Sequence, residues 1–339
     1  MVQAQDRSRK ERVGVIPNER EIIDLFVKTM GQPSPPYSKI GDDVAHLPAQ
    51  KGRLVIKSDM LVRKTDAPKQ MQLWQIARKS VVACVSDFAA KGVRPQAALI
   101  SLGLPQGTTS KEVRELARGF RKTKKDFSIE FLGGDTNEAD DLIIDCILLG
   151  FAENVIGRDG AKPGDAVMVS GFFGYAGAGL KLLLEDLKVD TRFRARAVST
   201  VLMPKPKLEL GITLSRSHLP SSAIDSSDGL ALSLYEIADQ SGVGIELTKL
   251  PTTDEVIEFA GRNDLKVEDL VLNAGEEYEI VCTIPRDRLN EAYSAARQNA
   301  SKLIEIGRVI KGRRRVVMHQ HGRDTEVERK GWVHLSASS

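Results

Sequence analysis

The side chains best suited to chemistry are acids placed where elements begin or end. Asp42 and Asp43 lie in a glycine turn, Asp59 closes an apolar run, and Asp87 sits near the end of a long amphipathic stretch. Asp135 follows Gly133 and Gly134, while Asp225 and Asp228 flank Ser226 and Ser227. Each has an ordinary reading by itself. Turn acids cap nearby N–H groups, and an acid just ahead of a helix, as at Asp228, is a standard N-cap. Asp87 fits neither description. It falls near a helix C-terminus, where the macrodipole disfavours an anion by about 0.3–1 kcal/mol, and it borders the apolar pair Cys84 and Phe88. A carboxylate there needs a positive partner, and so does Asp59 between Ile56 and Leu61. Acids at strand and helix ends converge on one rim of a layered sheet, where α/β folds bind ligands. Such a cluster is tenable only with cations, and all-oxygen ligands select hard Mg²⁺. Because Mg²⁺ completes its shell with waters and substrate phosphates, a nucleotide is the natural co-ligand.

Two glycine-rich segments, GGDT (133–136) and SGFFGYAGAG (170–179), are candidates to bring backbone N–H groups to phosphate oxygens. The second has the glycine spacing of a phosphate loop without its Lys-Ser/Thr pair, and a glycine-rich strand-to-helix turn is more often plain punctuation. A nucleophile elbow and a zinc-protease motif are both absent from the sequence. The five histidines make no metal spacing apart from His319 and His321, which lie in a basic, exposed region. The basic run KGRRR (311–315) is read as a solvated hairpin turn.

The elements that must position these residues alternate between helix and strand in both halves. Asn18 and Glu21 form a capping box for an apolar stripe ending near Met30. A strand at 53–58 leads to a helix with Leu73, Ile76, Ala77, Ser80, Val81, Cys84 and Phe88 on one face, stopping near Gly92. Strand (96–104), helix capped by Ser110, and strands at 127–132 and 142–151 follow, before the turn-rich GRDGAKPGD (157–165). Beyond it come a strand (166–170), a helix through Leu184, a polar stretch, and a helix behind two prolines near 203–211. Strands at 222–225, 244–248 and 278–284 then alternate with helices, and two or three short strands close the chain. At 339 residues, 41% hydrophobic and 28% charged, this is a two-domain soluble protein. The net charge of +3 is too small to argue for nucleic acid. Cys84, Cys146 and Cys282 lie inside separate apolar runs and read as reduced, buried thiols. With no signal peptide and no membrane-length apolar run, a cytoplasmic location without membrane partners is expected.

In order along the chain, IGDDVAHL (40–47), KSDML (57–61), VSDFAAKGVRP (85–95), FLGGDT (131–136), GRDGAKPGD (157–165), AIDSSDGL (223–230), AGEEYEIVCTIP (274–285) and KGWVHL (330–335) resemble the thiamine-monophosphate kinases. These belong to the superfamily that includes aminoimidazole-ribonucleotide synthetase, and the resemblance spans about residues 38–335. It implies a mixed α+β and α/β fold of two domains. Behind a mobile tail (1–17), an N-terminal sheet with flanking helices (18–154) would bind ATP and Mg²⁺ and form a homodimer; a C-terminal α/β sandwich domain would follow (155–339). The implied reaction is in-line transfer of the γ-phosphoryl of ATP to thiamine monophosphate, giving thiamine diphosphate. By motif match, Asp43, Ser58, Asp59, Asp87, Asp135, Asp225 and Asp228 would hold Mg²⁺. Gly134, Asp135, Arg158 and Ser227 would lie on ATP; Glu276 and Trp332 would hold the thiamine moiety.

Three departures stand out. RKTDAP (63–68) puts Asp66 where bacterial-type members carry a substrate-binding histidine, Lys57 replaces a threonine, and Glu277 replaces an aspartate. The alternatives are another ATP-using member of the superfamily or a nucleotide-binding protein without catalysis.

Overall fold

The computed structural model describes residues 17–40, 44–312, 314–320 and 322–333. Apart from Pro17, the expected tail lies outside the described residues, as do Asp42, Asp43 and His321. Helix α1 (Glu19–Met30) opens on the expected capping box, with Asn18 accepting from the Glu21 N–H at 3.0 Å and Glu21 accepting from the Asn18 N–H.

The first half builds a four-stranded sheet in the order β1-β4-β2-β3, from β1 (Arg53–Val62), β2 (Arg94–Leu104), β3 (Glu130–Glu138) and β4 (Ile143–Ala152). A single turn of helix, α2 (Arg63–Asp66), follows β1. Helix α3 (Leu73–Lys91) ends on Gly92, whose φ of +69° is left-handed and suits a residue without Cβ. The sequence shows one apolar face on α3, yet the helix is buried nearly all round. The reason is position. It packs on α4 (Ser110–Phe127), on β1, β2 and β4 of its own sheet, and on elements from the second half of the chain. Thr109 rather than Ser110 caps α4, in a reciprocal pair with Glu112.

The second half forms a seven-stranded sheet in the order β11-β10-β7-β9-β5-β8-β6. Its strands are β5 (Ala166–Val169), β6 (Ser222–Ser226), β7 (Gly244–Leu247), β8 (Glu279–Ile284), β9 (Ile304–Ile310), β10 (Val316–Gln320) and β11 (Arg323–Glu326). Among them run α5 (Tyr175–Leu184), α6 (Thr191–Leu202), α7 (Leu208–Arg216), α8 (Leu230–Ser241), α9 (Asp254–Arg262) and α10 (Leu289–Gln298). The basic run at 311–315 does not turn a hairpin: β10 pairs in parallel with β7, so the connection from β9 crosses over β7 to reach its place.

One hydrophobic cluster serves both halves. Phe88, Leu148 and Phe120 share it with Met168, Leu210 and Cys282. Helix α7 approaches α3 so closely that a Cβ on Gly211 would lie 1.8 Å from the Ala89 carbonyl oxygen. Gly211→Ala is therefore expected to cost about 3 kcal/mol, because backbone must move. Gly261→Ala, in α9 with open space around it, should gain about 0.5–1 kcal/mol from helix propensity. Urea titration of the two variants checks both signs.

Candidate active site

β-strand alternation and helical spacing together aim the candidate side chains at one cleft. On β1, Lys57, Asp59 and Leu61 share the inward face. On α3, Lys79, Ala83 and Asp87 recur every four residues and form one stripe. The end of β6 adds Asp225, and the turn after it adds Ser227 and Asp228. These residues line a cleft of about 990 Å³, joined by Asp66, Arg158, Glu276 and Trp332. Nine of the expected site residues are thus gathered in one place: Asp59, Asp66, Asp87, Arg158, Asp225, Ser227, Asp228, Glu276 and Trp332.

The others stand elsewhere. Ser58 faces the opposite side of β1 and donates to the Asp145 carboxylate at 2.8 Å. Gly134 and Asp135 are not among the residues lining the cleft. They do not form an end-of-strand turn but continue β3, beside a bulge opposite β2. A Cβ on Gly134 would meet the Ile100 carbonyl oxygen at 1.7 Å, so the glycine is required by strand packing. Register places Met60, Asp145, Ser101 and Asp135 in one row across the sheet. That row lies on the face turned away from α3. Asp43 lies outside the described residues.

The positive partner demanded by Asp87 is Lys57, at 2.8 Å, which also lies 3.5 Å from Asp59. Burial alone would lower the Lys57 pKa, but the Asp87 and Asp59 charges outweigh it and hold the ammonium protonated above its ordinary value. Burial raises the pKa of Asp59, with Asp87 and Asp228 adding repulsion against Lys57. Asp225 is pushed up to about 7 by burial and by the Asp87 charge, although Ser86 donates to it at 2.8 Å.

A second pairing floors the cleft. Buried Lys79 lies 2.6 Å from the Glu276 carboxylate and donates to the Asp66 carbonyl oxygen at 2.6 Å. The Asp66 carboxylate accepts from the Val62 N–H, closing α2 on itself. Glu276 and Tyr278 have φ of +71° and +53°, uncommon for residues with a Cβ. The Glu276 and Tyr278 N–H groups donate to the Ser227 and Ser226 carbonyls, which hold this backbone in place. The Trp332 N–H donates to the Asp228 carbonyl and fixes the final segment beside the same loop.

The glycine-rich turn at 170–179 proves structural. Glu277 accepts from the N–H groups of Gly174 and Ala176, so a carboxylate of the chain itself occupies the N-terminus of α5.

The cleft fits a hard cation. Its acids offer only oxygen, and Asp225 is buried with a neutral hydroxyl as its donor. Among the described residues no three acids already stand close enough to hold a metal by themselves.

Comparison with known proteins agrees with this geometry. Family models for the AIR synthase related protein match the chain, the N-terminal domain over residues 41–152 and the C-terminal domain over 162–320. The thiamine-monophosphate kinase of Nitrosopumilus maritimus is 39% identical over 94% of this chain and 98% of its own. That of Pyrococcus abyssi is 38% identical over 94% and 96%. The chain belongs to the thiamine-monophosphate kinase family. A solved structure of that family, "AaThiL complexed with AMPPCP and TMP", superimposes with a TM-score of 0.75 at 30% identity, covering 94% of this chain and 97% of the other. E. coli HypE, a hydrogenase maturation protein, shares the fold alone, with a TM-score of 0.76 at 22% identity over 93% and 98%.

Within this kinase fold, the residues that sequence reasoning missed are Lys79 and the role of Lys57 as a bridge between two acids. Lys79 stands off the apolar face that the sequence shows on α3, so no local signal marked it; its partner lies in the far half of the chain.

The raised carboxyl groups make stability depend on pH. Asp225 moves from an ordinary 3.8 to about 7, and Glu277, raised chiefly by burial, from 4.5 to about 8. The folded state then holds protons that the unfolded state releases, so their stabilisation is complete below about pH 4 and is lost as pH rises through 7 and 8. Lys91, lowered by burial to about 8, acts above that window. The metal-free kinase is expected to melt at a lower temperature at pH 8 than at pH 6. Scanning calorimetry at both values tests this, and addition of Mg²⁺ should narrow the gap.

Proposed function

We propose that this chain transfers the γ-phosphoryl group of ATP to thiamine monophosphate, forming thiamine diphosphate and ADP, with Mg²⁺ and in the cytoplasm. The observation that carries this reading is the convergence of Asp59, Asp87, Asp225 and Asp228 on one cleft with Glu276 and Trp332. The acids are the cation-holding groups, and a bound divalent ion would supply charge neutralisation on the phosphoryl oxygens. Arg158 and Ser227 face the nucleotide. Glu276 and the Trp332 indole face the thiamine moiety, whose flat cationic ring suits a carboxylate and an aromatic face. Asp66 lines the same cleft. The acceptor oxygen of thiamine monophosphate is already anionic, so attack in line on the γ-phosphorus needs no general base. Positioning and electrostatics carry the rate. Buried free thiols at Cys84, Cys146 and Cys282 accord with a reducing compartment. Among the described residues no helix is long and apolar enough to cross a membrane.

The deciding experiment is incubation of the protein with Mg²⁺, ATP and thiamine monophosphate, followed by chromatography. Thiamine diphosphate should appear in step with ADP, and its absence would sink the reading.

The outer face of the first sheet supports a homodimer. Leu54, Ile56 and Met60 are 49–59% exposed there, on one face of β1 with Ser58 among them. Two such faces meeting across a two-fold axis would cover them. Ile56→Glu is expected to leave a monomer where the parent is a dimer, as read by analytical ultracentrifugation.

A further inference from the structure

Lys57 holds an unusual place among the acids of the cleft. It lies two residues before Asp59 on the same face of β1, and its ammonium reaches across to Asp87 on α3. Distances of 2.8 Å to Asp87 and 3.5 Å to Asp59 gather two carboxylates from separate elements around a single positive group. That is the arrangement a divalent ion would impose, at the longer range of an N–H donor. Charge is only partly met this way. Four acids, Asp59, Asp87, Asp225 and Asp228, line the cleft, and Lys57 supplies one positive charge to the first two. Asp225, on the β6 side, receives its hydrogen bond from the neutral Ser86 hydroxyl.

We propose that the Lys57 ammonium takes the place of one divalent cation between Asp59 and Asp87, so that this chain binds one divalent ion fewer than its acids would otherwise hold. The inference rests on the Mg²⁺-dependent reading above and makes Lys57 a positioning residue. It orders two carboxylates, one from β1 and one from α3, at one end of the cleft. A threonine or glutamine at position 57 would remove the charge and leave the pair of acids open to a further ion.

Mn²⁺ replaces Mg²⁺ for the test, because free and bound Mn²⁺ are counted directly by electron paramagnetic resonance. The parent, Lys57→Thr, Lys57→Gln and Lys57→Arg proteins are titrated with Mn²⁺ in the presence of a non-hydrolysable ATP analogue. Lys57→Thr and Lys57→Gln should each bind one more Mn²⁺ per chain than the parent, and Lys57→Arg the same number as the parent. If Lys57→Thr fails to fold, the near-isosteric Lys57→Gln supplies the count. Equal, non-zero counts in all four proteins would overturn the proposal alone. No Mn²⁺ bound by any of them would overturn it together with the metal-dependent reading.

Discussion

Asp225→Asn should slow turnover by roughly 10³-fold while leaving the metal-free protein as stable as the parent at pH 8, or more so. The carboxyl is buried at the end of β6 and its pKa stands near 7. At pH 8 the folded state must keep it ionised against the cost of burial and the nearby Asp87 charge. Asparagine keeps the shape and an oxygen that can still accept from Ser86, and it removes that cost. It also removes the charge that would hold a cation beside the phosphates. Activity and stability should therefore move in opposite directions, a common trade at functional sites. Paired measurement of kcat and Tm at pH 8 decides it. A variant with parental kcat at saturating Mg²⁺ would exclude Asp225 from the metal site.

Lys79→Met should cost about 2–3 kcal/mol, the discounted penalty for leaving one member of a buried ion pair alone. Lys79 retains only 4% of its side-chain exposure and Glu276 23%, so water gives Glu276 limited relief. Burial already raises the Glu276 pKa against the Lys79 charge, and removing that charge raises it further. The double variant Lys79→Met/Glu276→Gln should recover most of the lost stability, because neither charge is then stranded. A double-mutant cycle in urea measures the coupling. Additive losses would mean that the pair contributes nothing as a pair.

Much of this site was legible in the sequence because its acids occur where physics makes acids awkward. Asp87 near a helix C-terminus called for a cation, and Lys57 supplies it. The capping box at Asn18 and the burial of the three cysteines were equally open to local reasoning. Long-range pairings were not. The contact between Lys79 and Glu276 joins α3 to the segment before β8, and periodicity carries no information about such a meeting. The end of β3 misled for a related reason. Two glycines before an acid read as a turn, whereas β3 continues through them, and register turns Asp135 to the sheet's outer face. Helix α6 was hidden within a polar stretch, since Arg192, Arg194 and Arg196 interrupt the apolar signal of Phe193, Ala197 and Val201. The crossover at 311–315 looked like a hairpin because sequence adjacency says nothing about β7 lying between β9 and β10.

Helix α3 touches the first sheet on one side and β6, β8 and α7 on another, and the Ser86–Asp225 hydrogen bond crosses that boundary. A molecule built around such a shared axle has no free hinge. The turn-rich segment at 157–165 cannot let the halves swing like jaws without opening the common core around Phe88 and Met168. Reactants must therefore enter a vessel whose walls are already set. Any adjustment on loading falls to short rim segments such as 63–69 and 328–333, and recognition here is a matter of fitting a mould more than of closing a hand.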